Sequence, residues 1–320
     1  MIDFTNCKEL PNDYGGADKK KKIIYRNEIW MLKFSNVIDL DLENPLNTSY
    51  SNNVFSEYLG SRIYNSVGIS AQETLLGTYT YISRKGVKRQ YPVVACKDFN
   101  QDGYALHMFR TLANSIISID INGKNPKLEE LESIFSLEDE YFRNAFRNLP
   151  QSEAEDMFWD VFIIDALIGN FDRHAENWGY LYNKETDDMK FSPVYDCGAC
   201  FFPRLTDKAL EEVVSKPEEI RKRIYDFPRA SLTQNGKKIN YYQFISSLEN
   251  KACNAALNRM YPKIDLSKIN NIIDTMELSC LERNLFYKKI VSERFECIIK
   301  RSYEKLNKPV IRKRKADNSI

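Results

Sequence analysis

The sequence predicts an α+β protein of two lobes, a small β-rich N-terminal lobe and a larger helical C-terminal lobe with a cleft between them. Three observations carry that expectation. The first hundred of the 320 residues read as strands around a single helix. From about Tyr104 the texture changes to apolar residues at helical spacing. The composition, 43% hydrophobic and 12% aromatic, supplies enough apolar side chain for a large core.

The elements follow in order. Residues 23–34, IIYRNEIWMLKF, read as two short strands around a polar turn at Arg26–Glu28. Residues 52–66 read as a helix, because Phe55, Tyr58, Leu59 and Ile63 recur at helical spacing and Ser51 or Asn52 can cap the start. Leu75–Ser83 and Gln90–Cys96 are strand-like and joined by the turn RKG. Helices are then expected over 104–117, 128–149, 153–168, 208–225, 241–259, 266–277 and 280–306, interrupted by a hairpin over 178–195. The expected lobes are residues 1–99 and 100–307, meeting near Lys97–Gly103, with 308–320 as a basic, flexible tail.

Several function classes are disfavoured. A net charge of +1 does not point to nucleic acid. Seven scattered cysteines do not make a disulfide framework. Cys197 and Cys200 form one C-x-x-C without a second pair, so no structural zinc site is expected. The stretch MIDFTNCKELPNDYGG lacks a basic segment followed by an apolar one, so no secretory signal is expected. No apolar run approaches the ~20 residues that span a bilayer. The expected folding environment is the cytoplasm, and a non-classical export route would leave no trace of this kind.

The densest chemistry lies in DALIGNFDRHAENWGYLYN, Asp165 to Asn183. The helix before it is apolar nearly all round, which places it in an interior, and Gly169 stops it. Asp172 then sits in a loop anchored to a rigid, buried element. Downstream, WGYLYN and MKFSPV flank the polar turn KETDD. Antiparallel pairing is expected to bring the outer ends of that hairpin, Asn177 and Asp196, side by side. Opposed residues lie ~4.5–5.5 Å apart, close enough for an amide and a carboxylate to share one Mg²⁺ at ~2.0–2.1 Å from its oxygen ligands. D-x-x-x-x-N followed by D-x-G after a hairpin is the protein-kinase arrangement. Asp172 then takes the place of the catalytic base, and Asn177 and Asp196 hold the metal that bridges the ATP phosphates. The competing reading is a surface loop with capping residues.

Upstream, Lys33 interrupts an apolar strand, a costly position unless the ammonium is paired or bound to phosphate. Glu57, on the following helix, is the expected partner, ahead of Glu73. Gly15 and Gly16 precede four lysines, and paired glycines let backbone N–H groups approach phosphates. In YPVVACKDFN a strand runs into a connector, where Lys97 and Phe99 are expected to meet an adenine edge. Arg173 and His174 either touch phosphate or brace the loop, with bracing the more common role. His107 reads as a packing or surface histidine.

LIGNFDRHAENWG together with the later SPVYDCG resembles the HipA-like serine/threonine kinases, which show an I-G-N-x-D-x-H-x-x-N core and a later P-x-Y-D. GGADKK, Lys33 and SEYLGSRI fall in the order in which that family places its phosphate loop, ATP lysine and helix glutamate. The resemblance runs from about Pro11 to Phe202. It implies a bilobal protein-kinase-like fold with ATP in the cleft, and ATP- and Mg²⁺-dependent phosphorylation of protein Ser/Thr, often of the kinase itself. It also implies Asp172 as base, Asn177 and Asp196 as metal ligands, and Lys33 as an ATP contact. The length further resembles the stand-alone, cell-translocating type, a pro-inflammatory bacterial effector. The family's toxins carry an extra N-terminal domain and act beside a DNA-binding antitoxin. The sequence shows no counterpart of that domain, so no toxin–antitoxin role is carried over.

Two alternatives stand beside this reading. Phosphoinositide kinases also use D-R-H-x-x-N, which leaves a lipid or small-molecule acceptor open. A non-catalytic, kinase-shaped scaffold is the other, although it has no need to retain the lysine and the three polar groups. The basic block Arg312, Lys313, Arg314 and Lys315 reads as a solvated terminus or as a nuclear-import signal.

Overall fold

Arg26 and Asn27 both take left-handed φ values, 52° and 63°, and turn β3 (Lys20–Tyr25) back into β4 (Glu28–Phe34). Around this hairpin a six-stranded sheet forms in the computed structural model, in the order β1-β7-β8-β4-β3-β2. Its other strands are β1 (Ile2–Asp3), β2 (Lys8–Leu10), β7 (Thr74–Ile82) and β8 (Lys88–Lys97). β1 runs parallel to β7, and the remaining pairs are antiparallel. A small ribbon, β5 (Val37–Asp39) with β6 (Ser49–Tyr50), leads into α1 (Asn53–Ser66). The structure describes residues 1–12, 14–15, 19–39, 49–82, 86–100, 102–117, 128–136 and 151–308. Gly16, most of the RKG turn and the basic block of the tail lie outside these residues.

Strand alternation divides the sheet between two cores. Val93 and Ala95 of β8 join Phe4, Ile23, Trp30, Leu32 and Phe34 on the outer face. Val94 and Cys96 join Val54, Phe55, Leu59 and Ile63 of α1 on the inner face, continuous with the core of the second lobe. Leu32 and Phe34 point outward, so Lys33 between them points inward toward α1.

The central helix of the second lobe is α4 (Gln151–Ile168), whose Trp159, Ile163, Ile164, Leu167 and Ile168 are fully buried. Gly169, at φ +66°, ends it. The expected hairpin forms as β10 (Gly179–Asn183) and β11 (Asp188–Phe191).

Several sequence expectations are corrected. Residues 104–117 are not one helix. Tyr104–Met108 form β9, which pairs with β10 in the order β11-β10-β9, and only Phe109–Ile117 are helical (α2). His107 therefore sits on a strand, edge-on to Tyr182. Of 128–149, residues 131–136 are helical (α3), and 137–150 lie outside the described residues. The stretch 208–225 breaks at Lys216, because Pro217 starts a new helix, giving α5 (Asp207–Ser215) and α6 (Pro217–Tyr225). A second hairpin, β12 (Arg229–Gln234) and β13 (Lys237–Asn240), turns on Asn235–Gly236 at φ 53° and 73°. Asn-Gly is the favoured pair for such a turn. The stretch 241–259 splits at left-handed Leu248 into α7 (Tyr241–Ser247) and α8 (Lys251–Met260). α9 (Leu266–Asp274) follows. α10 (Leu281–Arg294) runs through a π-helical stretch, Phe295–Lys300, into α11 (Arg301–Leu306).

Candidate active site

The loop after Gly169 is held by its own polar groups. The Asn170 N–H donates to the Asp165 carbonyl (3.0 Å), and the Asn170 side-chain oxygen accepts from the Asp172 N–H (3.1 Å). The Asp172 carbonyl accepts from the His174 N–H (2.9 Å) and from the Asn177 side-chain amide (2.7 Å). The Asn177 side-chain nitrogen is thereby committed to that carbonyl.

Arg173 is buried and fixes the whole arrangement. Its guanidinium pairs with Asp165 at 3.1 Å and 3.2 Å. Its Nη1 donates to the carbonyls of both Asn177 (2.9 Å) and Tyr195 (2.5 Å). The hairpin register, Tyr180 opposite Phe191, sets Asn177 across from Val194 and not across from Asp196. The expected juxtaposition thus does not come from strand pairing. Arg173 clamps the two feet of the hairpin, and Asp196 follows Tyr195 directly at a left-handed φ of 55°. Asp165 also accepts from the Tyr64 hydroxyl (2.6 Å) and the Asn170 amide (2.7 Å), and the Tyr241 hydroxyl donates to the Asn170 carbonyl (2.6 Å). Arg173 therefore braces the loop and is not a phosphate contact.

Lys33 is only 5% exposed, so its ammonium is withdrawn from solvent. Its Nζ donates to Glu57 Oε2 and to Asp196 Oδ1, both at 2.9 Å. Burial disfavours the ammonium, but the Asp196 and Glu57 carboxylates more than compensate and hold it charged. Lys33 in turn holds the Asp196 carboxyl below the usual range, against the effect of burial. Asp196 keeps 42% of its side chain exposed, so its second oxygen opens toward the cleft. Glu57 Oε1 accepts from the Cys197 N–H (3.1 Å), the Ser56 hydroxyl donates to the Cys200 carbonyl (2.7 Å), and the Asn52 amide donates to the Leu205 carbonyl (2.6 Å). Glu73 instead lies 3.6 Å from Lys97.

Asp172 is half-exposed. Burial is the main cause that raises its carboxyl above the ordinary value, His174 and Arg173 oppose the shift, and the nearby Asp196 charge adds to it.

The lysine run is divided by strand alternation. Lys20 is the cross-strand neighbour of Lys33, its Nζ donates to the Gly15 carbonyl (2.7 Å), and its charge reaches Asp196. Lys22 shares that face, near Asp98 (3.9 Å) and over the Tyr14 ring. Lys21 faces away, toward Glu9 and Tyr79. The Tyr14 hydroxyl reaches Asp98 at 2.5 Å, linking the glycine segment to the connector.

At that connector Lys97 is committed elsewhere. Its N–H donates to the Glu73 carbonyl (2.9 Å), its carbonyl accepts from Gln72 (2.8 Å), and its ammonium pairs with Glu28 (2.6 Å). The Asp98 N–H is likewise committed, to the Ile29 carbonyl (3.0 Å), so of the two expected adenine-edge residues only Phe99 keeps its backbone clear of such bonds among the described residues. The Phe99 ring packs edge-on against Tyr195, next to Asp196.

A cavity of about 490 Å³ gathers Lys33, Glu57, Asp172 and Asp196, with Asn53, Gly198 and Arg204 among its other walls. Asn177 is not part of this lining, but its side chain is tied to the Asp172 carbonyl at the cavity wall, so the local oxygen donors suit a hard divalent ion. An amide oxygen and a carboxylate supply part of an oxygen shell, and Mg²⁺ commonly completes such a shell with water and substrate phosphates. Among the described residues no cluster of three or more His, Cys, Asp or Glu forms an all-protein metal cage. The Asp165–Arg173–Tyr64 network, Lys20 and Arg204 were not identified from sequence. Asp165 was the available signal, a carboxylate inside an otherwise apolar helix.

The chain is similar to known proteins over most of its length. The profile of the HipA-like C-terminal domain matches residues 13–263. The serine/threonine-protein kinase CtkA of Helicobacter pylori (strain J99) is 38% identical over 301 residues, covering 93% of this chain and 86% of its own. The crystal structure of a Helicobacter pylori proinflammatory kinase CtkA superposes with a TM-score of 0.81 at 36% identity, over 95% of this chain and 98% of that one. HipA of Shewanella oneidensis MR-1, solved with HipB and operator DNA, superposes with a TM-score of 0.53 at 12% identity, over 92% of this chain and 70% of that one; this likeness is one of fold alone.

Proposed function

This chain belongs to the HipA-like C-terminal domain family and is a serine/threonine protein kinase that uses ATP and a divalent metal; within it, we propose that Asp172 is the catalytic base. The acceptor hydroxyl gives its proton to Asp172 as its oxygen bonds to the γ-phosphorus. The bond from that phosphorus to the β–γ bridging oxygen breaks, and its electron pair leaves with ADP. Lys33, held charged between Glu57 and Asp196, binds phosphate oxygens, and Lys20, bonded to the Gly15 carbonyl, lies beside it on the same face. Asn177 and Asp196 would hold the metal, read as Mg²⁺. A divalent ion there would neutralise phosphate charge as the γ-phosphoryl group transfers. Phe99 offers backbone groups to the adenine edge.

One observation supports this assignment above others: Lys33, Glu57 and Asp196 form a single ion triad in the wall that also carries Asp172. The lobe boundary is proposed at Lys97–Gly103, supported by the pairing of β9 with β10, which assigns residues from Tyr104 onward to the second lobe. Among the described residues no helix is long and apolar enough to cross a membrane. Autophosphorylation and delivery into host cells by a non-classical route are part of the proposal; the relative's designation as a proinflammatory kinase supports the latter.

Intact-mass measurement before and after incubation with Mg-ATP tests the assignment. Shifts of one or more phosphate units in the wild-type chain, absent in Asp172→Ala and Asp196→Ala, are expected. Equal shifts in all three proteins would overturn the assigned roles.

A further inference from the structure

The cavity does not end at the phosphate-binding lysine. Its walls continue past Asp196 along Gly198, Ala199, Pro203 and Arg204, and on the other side along Asn36, Val37, Ser51 and Asn53. Neither the connector at Asp98–Phe99 nor Gly15 belongs to this lining. This part of the cleft therefore lies beyond the nucleotide path, where an acceptor segment must approach Asp172. Arg204 is exposed there and, among the described residues, makes no hydrogen bond or ion pair. A fixed backbone presents it: Asn52 binds the Pro203 carbonyl through its N–H (2.7 Å) and the Leu205 carbonyl through its amide (2.6 Å), one residue to either side.

A second cation approaches Asp172 from the β12–β13 hairpin. Lys238 is exposed, while the next residue, Ile239, is buried. The hairpin is anchored by the Thr233 N–H on the Glu129 carbonyl (2.7 Å) and, just past its end, by the Tyr241 hydroxyl on Asn170 (2.6 Å). That anchor sets the Lys238 end of the hairpin beside the loop that carries Asp172.

We propose that Arg204 and Lys238 are specificity residues on the acceptor side of the cleft, selecting serines and threonines flanked by acidic side chains. The inference rests on the assignment of Asp172 as base. The chemistry is direct. An arginine fork binds carboxylates in bidentate fashion, and a lysine adds a point charge. Two cations beside the reacting hydroxyl favour acidic neighbours and repel basic ones, a common means by which kinases discriminate. Exposed contacts of this kind each change affinity modestly, so the combined preference should be roughly fivefold to tenfold.

The test uses the full chain and a degenerate serine-centred peptide library, scored for flanking residues. The wild-type chain should enrich Asp and Glu, and the enrichment should shrink as salt rises. Arg204→Glu should abolish it or turn it toward Lys and Arg, and Lys238→Glu should weaken it at fewer positions. A wild-type chain without acidic enrichment would overturn the proposal. So would Arg204→Glu retaining the enrichment, or lowering acidic and neutral peptides alike, which would mark Arg204 as a nucleotide contact. Failure of the Asp172 assignment is read separately, as library phosphorylation by Asp172→Ala at the wild-type rate.

Discussion

Arg173 and Asp165 form a buried ion pair, 3.1 Å between Nε and Oδ2, that ties the end of α4 to both feet of the β10–β11 hairpin. The pair governs where Asn177 and Tyr195 sit, and so where Asp196 leaves the strand. Lysine has one point charge where arginine has a fork, so Arg173→Lys cannot reach Asp165, Asn177 and Tyr195 together. This variant should require a several-fold higher concentration of divalent metal for half-maximal rate, with kcat reduced roughly tenfold or more. A metal titration of the steady-state rate measures it. An unchanged metal requirement would remove Arg173 from the positioning of the site.

Lys33 and Glu57 allow a thermodynamic test. Both are buried, and removing one partner from a buried pair costs about 3–5 kcal/mol. Lys33→Met should therefore lose stability as well as activity. Glu57→Gln should lose less, because the Cys197 N–H still finds a side-chain oxygen there. The double variant should be more stable than the sum of the single losses predicts. Urea unfolding of all four proteins measures the coupling, and strict additivity would contradict the ion pair.

Gly60 of α1 faces Cys197, and a Cβ at Gly60 would lie 2.6 Å from the Cys197 Cβ. Cys197 is buried directly after Asp196 and cannot retreat without moving it. Gly60→Ala should cost about 1–3 kcal/mol through overpacking and should lower kcat well beyond the loss of folded protein. Thermal melts and kcat measured on the same samples test this. A stable variant with full activity would show that the contact relaxes without touching the site.

Asp172 and His174 make a pH prediction. Burial raises the Asp172 carboxyl, and His174, when protonated, lowers it. A base must be deprotonated, so kcat/KM should fall on the acid side, with a limb above the range of an exposed aspartate. Removing the imidazolium in His174→Gln takes away a stabilising charge, so the Asp172 carboxyl should rise and the acid limb should move to higher pH. A limb that stays in place or moves down would contradict the coupling.

What the sequence revealed depended on the range of each interaction. Asp172, Asn177 and the D-x-G at Asp196 were legible because they lie within one loop and one hairpin. Lys33 and Glu57 were legible because a charge inside an apolar strand needs a partner. Bracing by Arg173 was legible as the common role of such a residue, but its partner Asp165 and the carbonyls of Asn177 and Tyr195 were not, since a clamp on backbone carbonyls leaves no mark in residue identity. β9 was misread because YALHM carries apolar residues that fit a helix as well as a strand, and only its pairing with β10 decides between them. Asn235–Gly236 was a readable hairpin signal that was passed over. The lysines after the paired glycines could not be told apart by residue type; strand alternation turns Lys20 and Lys22 to the Lys33 face and Lys21 away.

Asn177 and Asp196 are proposed to hold one divalent ion beside a nucleotide gripped by Lys33. Electron paramagnetic resonance of Mn²⁺ bound in the presence of a non-hydrolysable ATP analogue tests it most directly. The wild-type chain should hold Mn²⁺ tightly in an ordered, oxygen-rich environment, and Asn177→Leu and Asp196→Ala should each weaken that binding by about tenfold or more while retaining the fold. Mn²⁺ bound equally well by both variants would contradict the account.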